Sequence, residues 1–500
     1  MKKVILSVYA ILLVSTVAVA QININVGDQL GLDNIGKVSQ VGVLNTSSMT
    51  QIGNSNKGEI QQFGSPIVVP NQVPSSRNHF ASQLQVGDNN TAFVKQFTVG
   101  NSSTQIQRGN YNSANLRQNE SNPSVNALLG NNTATQTQIG NSNVVKTTQI
   151  QGSGNVSNQM QSGISNKSTS QQVYLSFNST INSATTGTTN ETFIDQRNGS
   201  RNNATSNQVV NSSKSNIFQK RGDDNVANVT QIIGSSNNST LSQTGSTNNG
   251  TVFQAGAFLI ANMQQVGDRN TGLINQNGSA HKSIFTQLGS DNIASTSQTA
   301  AENSSTQNQV GQFNDATVAQ GGYNNAGKNQ AIQSQIGNGN TASIVQEMEV
   351  TAVGGVHYAK QTQENDNNEA SIIQSGLRNT ANQIQKGFNN TMNLSQTLIE
   401  RSFVSQQQYG NDNFASVIQK EGSNNIANTY QQGSDNESTI RQQNGTNNVA
   451  ESAQWGNLNT TLITQTNGSN NYAGIVQEGN SLTNTISQSG SNNNLSINNN

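Results

Sequence analysis

The sequence has no cysteine and very little charge, proline or aromatic character. Its 500 residues include 4 prolines and 1 tryptophan, and Asp, Glu, Lys and Arg together make up 10%. The missing cysteine excludes disulfides, thiolate zinc sites and cysteine nucleophiles. Because 24 basic residues nearly cancel 25 acidic ones, the net charge of -1 offers no basic footprint. We therefore expect neither a nucleic-acid partner nor binding to an anionic membrane.

Apolar residues are also few, at 31% of the chain, and the mean hydropathy is -0.60. Such polarity would ordinarily favour disorder, which usually comes with high charge. Here the polarity resides instead in Asn, Gln, Ser, Thr and Gly, and these residues recur in a regular pattern. A fixed repeat of this kind predicts one elongated body rather than several globular domains.

The repeating unit is clearest in residues 85–96. With a period of two, Ala92 and Val94 face one side of a predicted strand while Phe93 faces the other. Gly87 opens the preceding turn, where glycine permits backbone angles that other residues avoid. The unit is therefore a seven-residue strand followed by a four-residue turn.

The unit can be followed by its glutamine through 38 positions from Gln29 to Gln488, most of them 11 residues apart. Two units per coil predict an all-β, elongated β-solenoid of about 19 two-strand, 22-residue coils, in which stacked amides form ladders. The pattern QxGxxN supplies the candidate structural and assembly residues. These are Gln40, Gly42, Asn45, Gln85, Gly87, Asn90, Gln107, Gly109, Asn112, Gln265, Gly267, Asn270, Gln335, Gly337, Asn340, Gln408, Gly410, Asn413, Gln454, Gly456 and Asn459.

Insertions interrupt the spacing at five places. Each one follows an even-numbered glutamine of the series, which predicts edge loops inserted on one side of the solenoid. All 4 prolines fall in the first two insertions, so none interrupts a predicted strand. The insertions lie near residues 64–78, 119–131, 174–189, 321–328 and 347–356.

The first 20 residues have the character of a secretory signal peptide. Two lysines precede an apolar run that ends in small residues, which is typical of cleavage before Gln21. A short N-terminal segment, 21–28, then leads to the repeat region, 29–500. No other stretch is long and apolar enough to span a bilayer, so we expect an exported mature chain without a transmembrane segment.

No constellation typical of an enzyme or metal site is recognisable. All 3 histidines, His79, His281 and His357, stand where Asn begins other strands, which predicts hydrogen-bond mimicry rather than metal binding. The sequence has no GGxGxD calcium repeat, and its paired glycines lack a phosphate-loop lysine. We therefore expect no cofactor, no metal and no catalytic activity.

The extended unit QxGxxNxAxxxQ, intact at residues 335–346 and 408–419, resembles the curlin repeat, and the resemblance covers nearly the whole mature chain. It implies a structural subunit that is secreted across a bacterial outer membrane and polymerises at the cell surface. The products would be curli, the amyloid fibres of the biofilm matrix, used for adhesion. The implied partners are further copies of the chain, a nucleating subunit and an outer-membrane secretion system.

Two other functions are compatible with the repeat. The chain could be a monomeric secreted β-solenoid adhesin or surface-binding protein, or a minor nucleating subunit. Polymerisation is favoured because the C-terminal residues continue the strand pattern, with Leu495 and Ile497 facing the core side. These two residues are the predicted fibre end.

Overall fold

The computed structural model describes residues 23–63, 78–119, 130–174, 176–322, 328–347 and 356–499. Within these ranges all the named secondary-structure elements are β-strands. No helix that could cross a membrane is found there. The predicted signal peptide, 1–20, lies outside the described residues, as does most of the insertions near 64–78, 119–131, 321–328 and 347–356.

Forty strands follow one another along the described chain. The first twenty are β1 Ile24–Leu30, β2 Ile35–Val41, β3 Thr46–Ile52, β4 Lys57–Phe63, β5 Phe80–Val86, β6 Thr91–Phe97, β7 Ser102–Arg108, β8 Ser113–Gln118, β9 Thr133–Asn141, β10 Val144–Ile150, β11 Val156–Ile164, β12 Lys167–Val173, β13 Thr180–Thr188, β14 Glu191–Arg197, β15 Asn203–Asn211, β16 Lys214–Lys220, β17 Val226–Ser235, β18 Asn238–Thr244, β19 Asn249–Ala257 and β20 Ile260–Val266.

The second twenty are β21 Thr271–Ser279, β22 Lys282–Ser290, β23 Ile293–Ala301, β24 Ser304–Gln312, β25 Asp315–Gln320, β26 Gln330–Ile336, β27 Thr341–Glu347, β28 Tyr358–Glu364, β29 Glu369–Leu377, β30 Thr380–Lys386, β31 Thr391–Glu400, β32 Phe403–Asn411, β33 Phe414–Ser423, β34 Ile426–Ser434, β35 Glu437–Thr446, β36 Val449–Trp455, β37 Thr460–Thr466, β38 Tyr472–Glu478, β39 Thr483–Ser489 and β40 Asn494–Asn499.

Odd-numbered and even-numbered strands form two separate parallel sheets that face each other. Each strand pairs in register with the strand two places along the chain, so that Gln243, Gln265 and Gln287 align in the even sheet. Gln276 aligns with Gln254 in the odd sheet, opposite Gln265. Each coil consists of two strands, one from each sheet. This confirms the predicted all-β solenoid of two-strand coils.

Within the described residues each sheet contains 20 strands, slightly more than the predicted 19 coils. The difference comes from two strands without the expected glutamine. In β13 this position is held by Thr185, and in the last described strand, β40, by Asn499. Both residues keep the register of their neighbours, so the ladder of strands continues through β13 and extends to β40.

The structure corrects the insertion predicted at 174–189. Most of this segment is β13, whose Ile181, Ser183 and Thr185 are buried. Because this strand was not counted, the predicted parity of all later strands is shifted by one. The segment is therefore largely a regular repeat rather than a loop.

The same shift corrects the prediction of edge loops on one side. The insertions after Gln62 and Gln118 lead from the even sheet to the odd sheet, at one edge of the coil. The insertions after Gln320 and Gln346 lead from the odd sheet to the even sheet, at the opposite edge. Loops are thus inserted on both sides.

The interior is narrow because small residues face large ones across the coil. A Cβ added at Gly272 would lie 2.7 Å from Met263 Sδ and from Phe285 Cε2, and one at Gly58 would lie 2.8 Å from Met49 Sδ. Apolar side chains fill this space in three clusters, which extend from Met49 to Ala134, from Ile181 to Ala294 and from Val318 to Ile486.

Hydrogen-bonded polar layers separate the apolar clusters. In the first layer, Thr147 Oγ1 donates to Gln159 Oε1 at 2.6 Å, and Gln159 Nε2 donates to Ser168 Oγ at 2.9 Å. In the second, Thr296 Oγ1 donates to Gln307 Oε1 at 3.0 Å. Since these buried groups find partners, polar side chains can occupy the interior without the cost of lost hydrogen bonds.

Candidate functional site: stacked ladders and outer faces

The repeated glutamine connects successive coils through its side-chain amide. Gln265 is fully buried, and its Nε2 donates to Gln287 Oε1 at 2.9 Å while its Oε1 accepts from Gln243 Nε2 at 2.9 Å. Gln265 Nε2 also donates to the backbone carbonyl of Asn249 in the facing sheet, at 3.1 Å. The glutamine thus joins neighbouring coils and also the two sheets of the solenoid.

The asparagine that precedes most strands makes a second ladder. Asn270 N donates to Asn248 Oδ1 of the preceding coil at 3.0 Å, and Asn270 Nδ2 donates to the carbonyl of Gly289 in the next coil at 2.8 Å. The carbonyl of Gly289, a backbone group in a turn of the next coil, is satisfied in this way. The asparagine side chain is long enough to bond to backbone groups of the neighbouring coils.

The turn glycine is required by both backbone angle and space. Gly267 has φ +113°, and a Cβ added there would lie 2.0 Å from the carbonyl oxygen of Gly289 in the next coil. Any side chain at this position would therefore force neighbouring turns apart. Gly109 and Gly410 have the same positive φ and the same close approach to the next coil.

All seven predicted Gln-Gly-Asn sets occupy these three positions. The seven glutamines each donate to the glutamine of the next coil in the same sheet. The seven glycines all have positive φ, and the seven asparagines are all buried. The structure thus places them within one chain, and their part in contacts between chains stays a prediction.

The predicted fibre-end residues lie in the last described strand. Leu495 aligns with Ala473 and Ile497 aligns with Ile475, so both face the interior side. Leu495 is 45% exposed, whereas Ile497 is half-buried against the third apolar cluster. The end of the described body therefore presents apolar side chains that have a coil on one side only.

The three histidines replace the strand-start asparagine, as predicted. Nδ1 of His79, His281 and His357 accepts the backbone N–H of Asn101, Asn303 and Asn379 at 3.3, 3.2 and 3.4 Å, which is the bond that Asn Oδ1 accepts elsewhere. Burial lowers the pKa of His79 and of His357 to about 4, and lowers that of His281 in the same direction. The rings are therefore neutral at ordinary pH.

No group of three or more residues able to hold a metal ion is found within the described ranges. The functional geometry of this chain lies instead in its ladders and in its two outer faces.

The two outer faces differ sharply in charge over the first eight coils. On the odd sheet, the outward positions of β1 to β15 carry only Asp28 and Arg108. On the even sheet, the outward positions of β2 to β16, here named the basic face, carry nine cations and three carboxylates. The cations are Lys37, Lys57, Lys95, Arg117, Lys146, Lys167, Arg197, Lys214 and Lys220, and the carboxylates are Glu59, Glu191 and Asp195.

The basic face therefore has a net formal charge of +6, whereas the later even strands, β18 to β38, carry three cations and three carboxylates in outward positions. The cations are Lys282, Lys360 and Lys386, and the carboxylates are Glu364, Glu451 and Glu478. Composition did not reveal this segregation, because it depends on which sheet each strand joins.

Aromatic rings form a second outer feature, near the C-terminal end of the even sheet. The ring centroids of Tyr409 and Tyr430 lie 5.6 Å apart, and those of Tyr430 and Trp455 lie 5.4 Å apart. A shallow groove of about 320 Å³ adjoins the cluster, where Tyr472 Oη donates to Glu451 Oε2 at 3.1 Å. Cross-strand ring pairs of this kind stabilise a sheet.

The two sheets and their ladders define a class of protein: a parallel β-solenoid whose coils are joined by buried amide side chains. The family model named Curlin associated repeat matches residues 267–299, which contain β21, β22 and most of β23. Over this match the chain carries a repeat of the curlin type. Comparison with curated proteins returned no match.

Proposed function

We propose that this chain is a secreted structural subunit that polymerises head to tail into extracellular curli-like amyloid fibres of a biofilm matrix, used for adhesion. The curlin repeat suggests a structural subunit of the curli type, and proteins of this family are in general secreted. The solenoid and the repeat family indicate a structural rather than an enzymatic protein.

One observation carries the proposal: the amide ladders have a direction. Wherever one ladder glutamine donates to another, its Nε2 hydrogen is directed toward the later coil, as from Gln29 to Gln51 Oε1 at 2.5 Å and from Gln465 to Gln488 Oε1 at 2.9 Å. In the first described coil, Gln40 Oε1 is left without a hydrogen-bond partner among the described residues. The first coil therefore offers an unpaired acceptor at one end of the body, whereas the glutamine-to-glutamine bonds of both columns are directed toward the other end.

Head-to-tail addition would satisfy both ends. The strands of the first and last described coils pair on one side only, and unpaired parallel strands recruit strands of matching register. A translation along the axis never closes on itself, so repeated addition gives an open filament. A nucleating subunit with the same coil geometry could begin it, and an outer-membrane secretion system would deliver the chain.

The proposal is tested at the last described strand. In L495K/I497K, charges replace the apolar side chains that would contact the next subunit, and we expect elongation to slow by at least about tenfold because burying an unpaired charge is costly. The matched control, S496K/N498K, places the same charges in the same strand on its outward face and should elongate at close to the normal rate. Thioflavin-T time courses and sedimentation measure the rate.

The two variants separate growth at this end from a general effect of charge. If L495K/I497K elongates as fast as the unmodified chain, growth through this end is wrong. If the unmodified chain never polymerises, the alternative of a monomeric surface-binding solenoid is supported instead. Circular dichroism checks that the internal coils stay folded, since distant coils of a solenoid contribute separately to stability.

A further inference from the structure

We propose that the basic face binds a linear acidic polysaccharide that carries carboxylates along its length. The partner is assigned by charge. The whole chain has a net charge of -1, so the +6 on one face of eight coils is a product of folding rather than of composition. A surface with charge of one sign attracts polymers of the opposite sign.

Ion pairs neutralise only part of this face. Glu191 Oε1 pairs with Lys167 Nζ at 2.8 Å, and Asp195 Oδ1 pairs with Arg197 Nε at 2.7 Å. Four other lysines, Lys37, Lys57, Lys146 and Lys220, are exposed and form no ion pair with any described carboxylate. These four provide the charge that an external anion can reach.

The spacing of the charges fits a carboxylated sugar chain. Parallel strands stack about 4.8 Å apart, so eight strands cover roughly 34 Å and the face carries about one net charge per 5–6 Å along the axis. A polymer with one carboxylate on each sugar ring, lying along the axis, has a comparable charge spacing. Duplex DNA carries one charge per about 1.7 Å and is far more densely charged than this face.

Aromatic rings beside the cations provide the apolar part of the contact. Phe63 and Phe97 lie in neighbouring strands with centroids 5.4 Å apart, and Lys95 Nζ lies 5.1 Å from the Phe97 centroid. Phe193 and Phe218 repeat the arrangement at 5.6 Å, with Lys220 Nζ 5.0 Å from the Phe218 centroid. A ring face packs against the C–H groups of a sugar while the adjacent ammonium meets its carboxylate.

The test compares two variants with the same loss of charge. K37Q/K57Q/K146Q/K220Q removes four lysines from the basic face, and K282Q/K360Q/K386Q/K420Q removes four from other parts of the solenoid. Binding of polygalacturonate is measured by calorimetry on freshly desalted, soluble full-length chain, so the result does not depend on fibre formation. Fully methyl-esterified polygalacturonate, duplex DNA and phosphatidylglycerol vesicles are measured in parallel.

We expect the unmodified chain to bind polygalacturonate but not its ester, with an affinity that falls as salt rises. The basic-face variant should bind at least about tenfold more weakly and with a flatter salt dependence, because fewer counterions are released. The control variant should bind like the unmodified chain. Circular dichroism compares the folding of all three.

Three results would overturn the proposal. Equal weakening in both variants would show that net charge, not this face, controls binding. Equal binding of the esterified polymer would show that the carboxylates are not recognised. Tighter binding of DNA or of the vesicles, lost in the basic-face variant, would assign the face to a nucleic acid or to a membrane instead.

Discussion

The hydroxyl oxygens of Thr185 and Thr192 lie 3.4 Å apart on the facing strands β13 and β14, in the coil where the odd sheet has Thr185 in place of its glutamine. Thr185 aligns with Gln161 on one side and with Gln208 on the other. Thr192 Oγ1 donates to Gln208 Oε1 at 2.7 Å and so supplies the hydrogen that a glutamine at position 185 would donate. A facing-strand hydroxyl thus bridges an interruption in the ladder.

Restoring the glutamine should stabilise this region. In T185Q/T192A, the new amide can accept from Gln161 and donate to Gln208, while the smaller alanine makes room for it. We expect a gain of about 1–2 kcal/mol from the recovered hydrogen bonds. The shift of the urea unfolding midpoint measures it.

The single variant T192A is the control for that experiment. It removes the donor to Gln208 without replacing it, so the buried Gln208 Oε1 loses a partner, and we expect a loss of about 1–3 kcal/mol. If T192A is as stable as the unmodified chain, the Thr192 hydroxyl does not bridge the ladder.

Turn glycines should differ in tolerance according to their angle and surroundings. Gly267 has φ +113°, with the Gly289 carbonyl oxygen 2.0 Å from where a Cβ would lie, so G267A should destabilise the chain by at least about 2 kcal/mol. At Gly321 the nearest atom to an added Cβ is Thr299 Oγ1, at 3.6 Å, and φ is not positive. G321A is therefore the matched control and should unfold like the unmodified chain. Equal destabilisation by both would refute the steric explanation.

The buried histidines should make stability depend on pH. Because the folded pKa of His79 and His357 is about 4 and the unfolded value is about 6.5, the unfolded chain takes up protons first as pH falls. The stabilising contribution is therefore complete above pH 6.5 and is lost between about pH 6.5 and 4. At about 1.4 kcal/mol per pKa unit, the two rings together account for several kcal/mol.

Asparagine at both positions provides the control for the pH experiment. H79N/H357N restores the residue that begins most other strands, and its amide does not titrate in this range. Urea unfolding at a series of pH values should show a shallower loss of stability in this variant than in the unmodified chain. Identical pH profiles would show that the histidines are not the groups responsible.

Much of this fold was readable from the sequence because a single period sets it. The column of glutamines fixed the strands, and the glycine and asparagine of each unit fixed the turns. The prediction failed at β13 because Thr185 stands where the repeat has its glutamine. The other marks of the unit were present there, since Gly187 and Asn190 hold the turn positions of the missing repeat.

Because β13 was not predicted, a second feature was missed: the inward glutamines change from one sheet to the other along the solenoid. The inward glutamines near the start of the chain, such as Gln83 and Gln105, lie in the odd sheet, whereas later ones such as Gln333 and Gln361 lie in the even sheet. If β13 is left out of the count, both groups fall in strands of the same parity. The charge of each outer face could not be assigned for the same reason, because it depends on the parity of every strand.

The first insertion should be dispensable for folding, which tests whether it is only an edge loop. Deleting residues 66–77 joins Ser65 to Asn78 and leaves Gln62 and Gln85 11 residues apart, which is the spacing of an uninterrupted unit. The joined turn would have glycine at position 64, and Asn78 already has φ +61°, close to the φ +58° of Leu44 at the same place in an intact turn. A shorter loop also costs less entropy to close.

We expect this deletion to leave both the urea unfolding midpoint and the rate of fibre growth unchanged or slightly raised. The control is an equally long deletion, residues 80–91, which removes β5 and its glutamine and should destabilise the neighbouring β3 and β7. If deletion of 66–77 preserves unfolding but abolishes fibre growth, the insertion is part of the contact between subunits. If it prevents folding as the control does, the segment is needed to join β4 to β5, and its description as an edge loop is wrong.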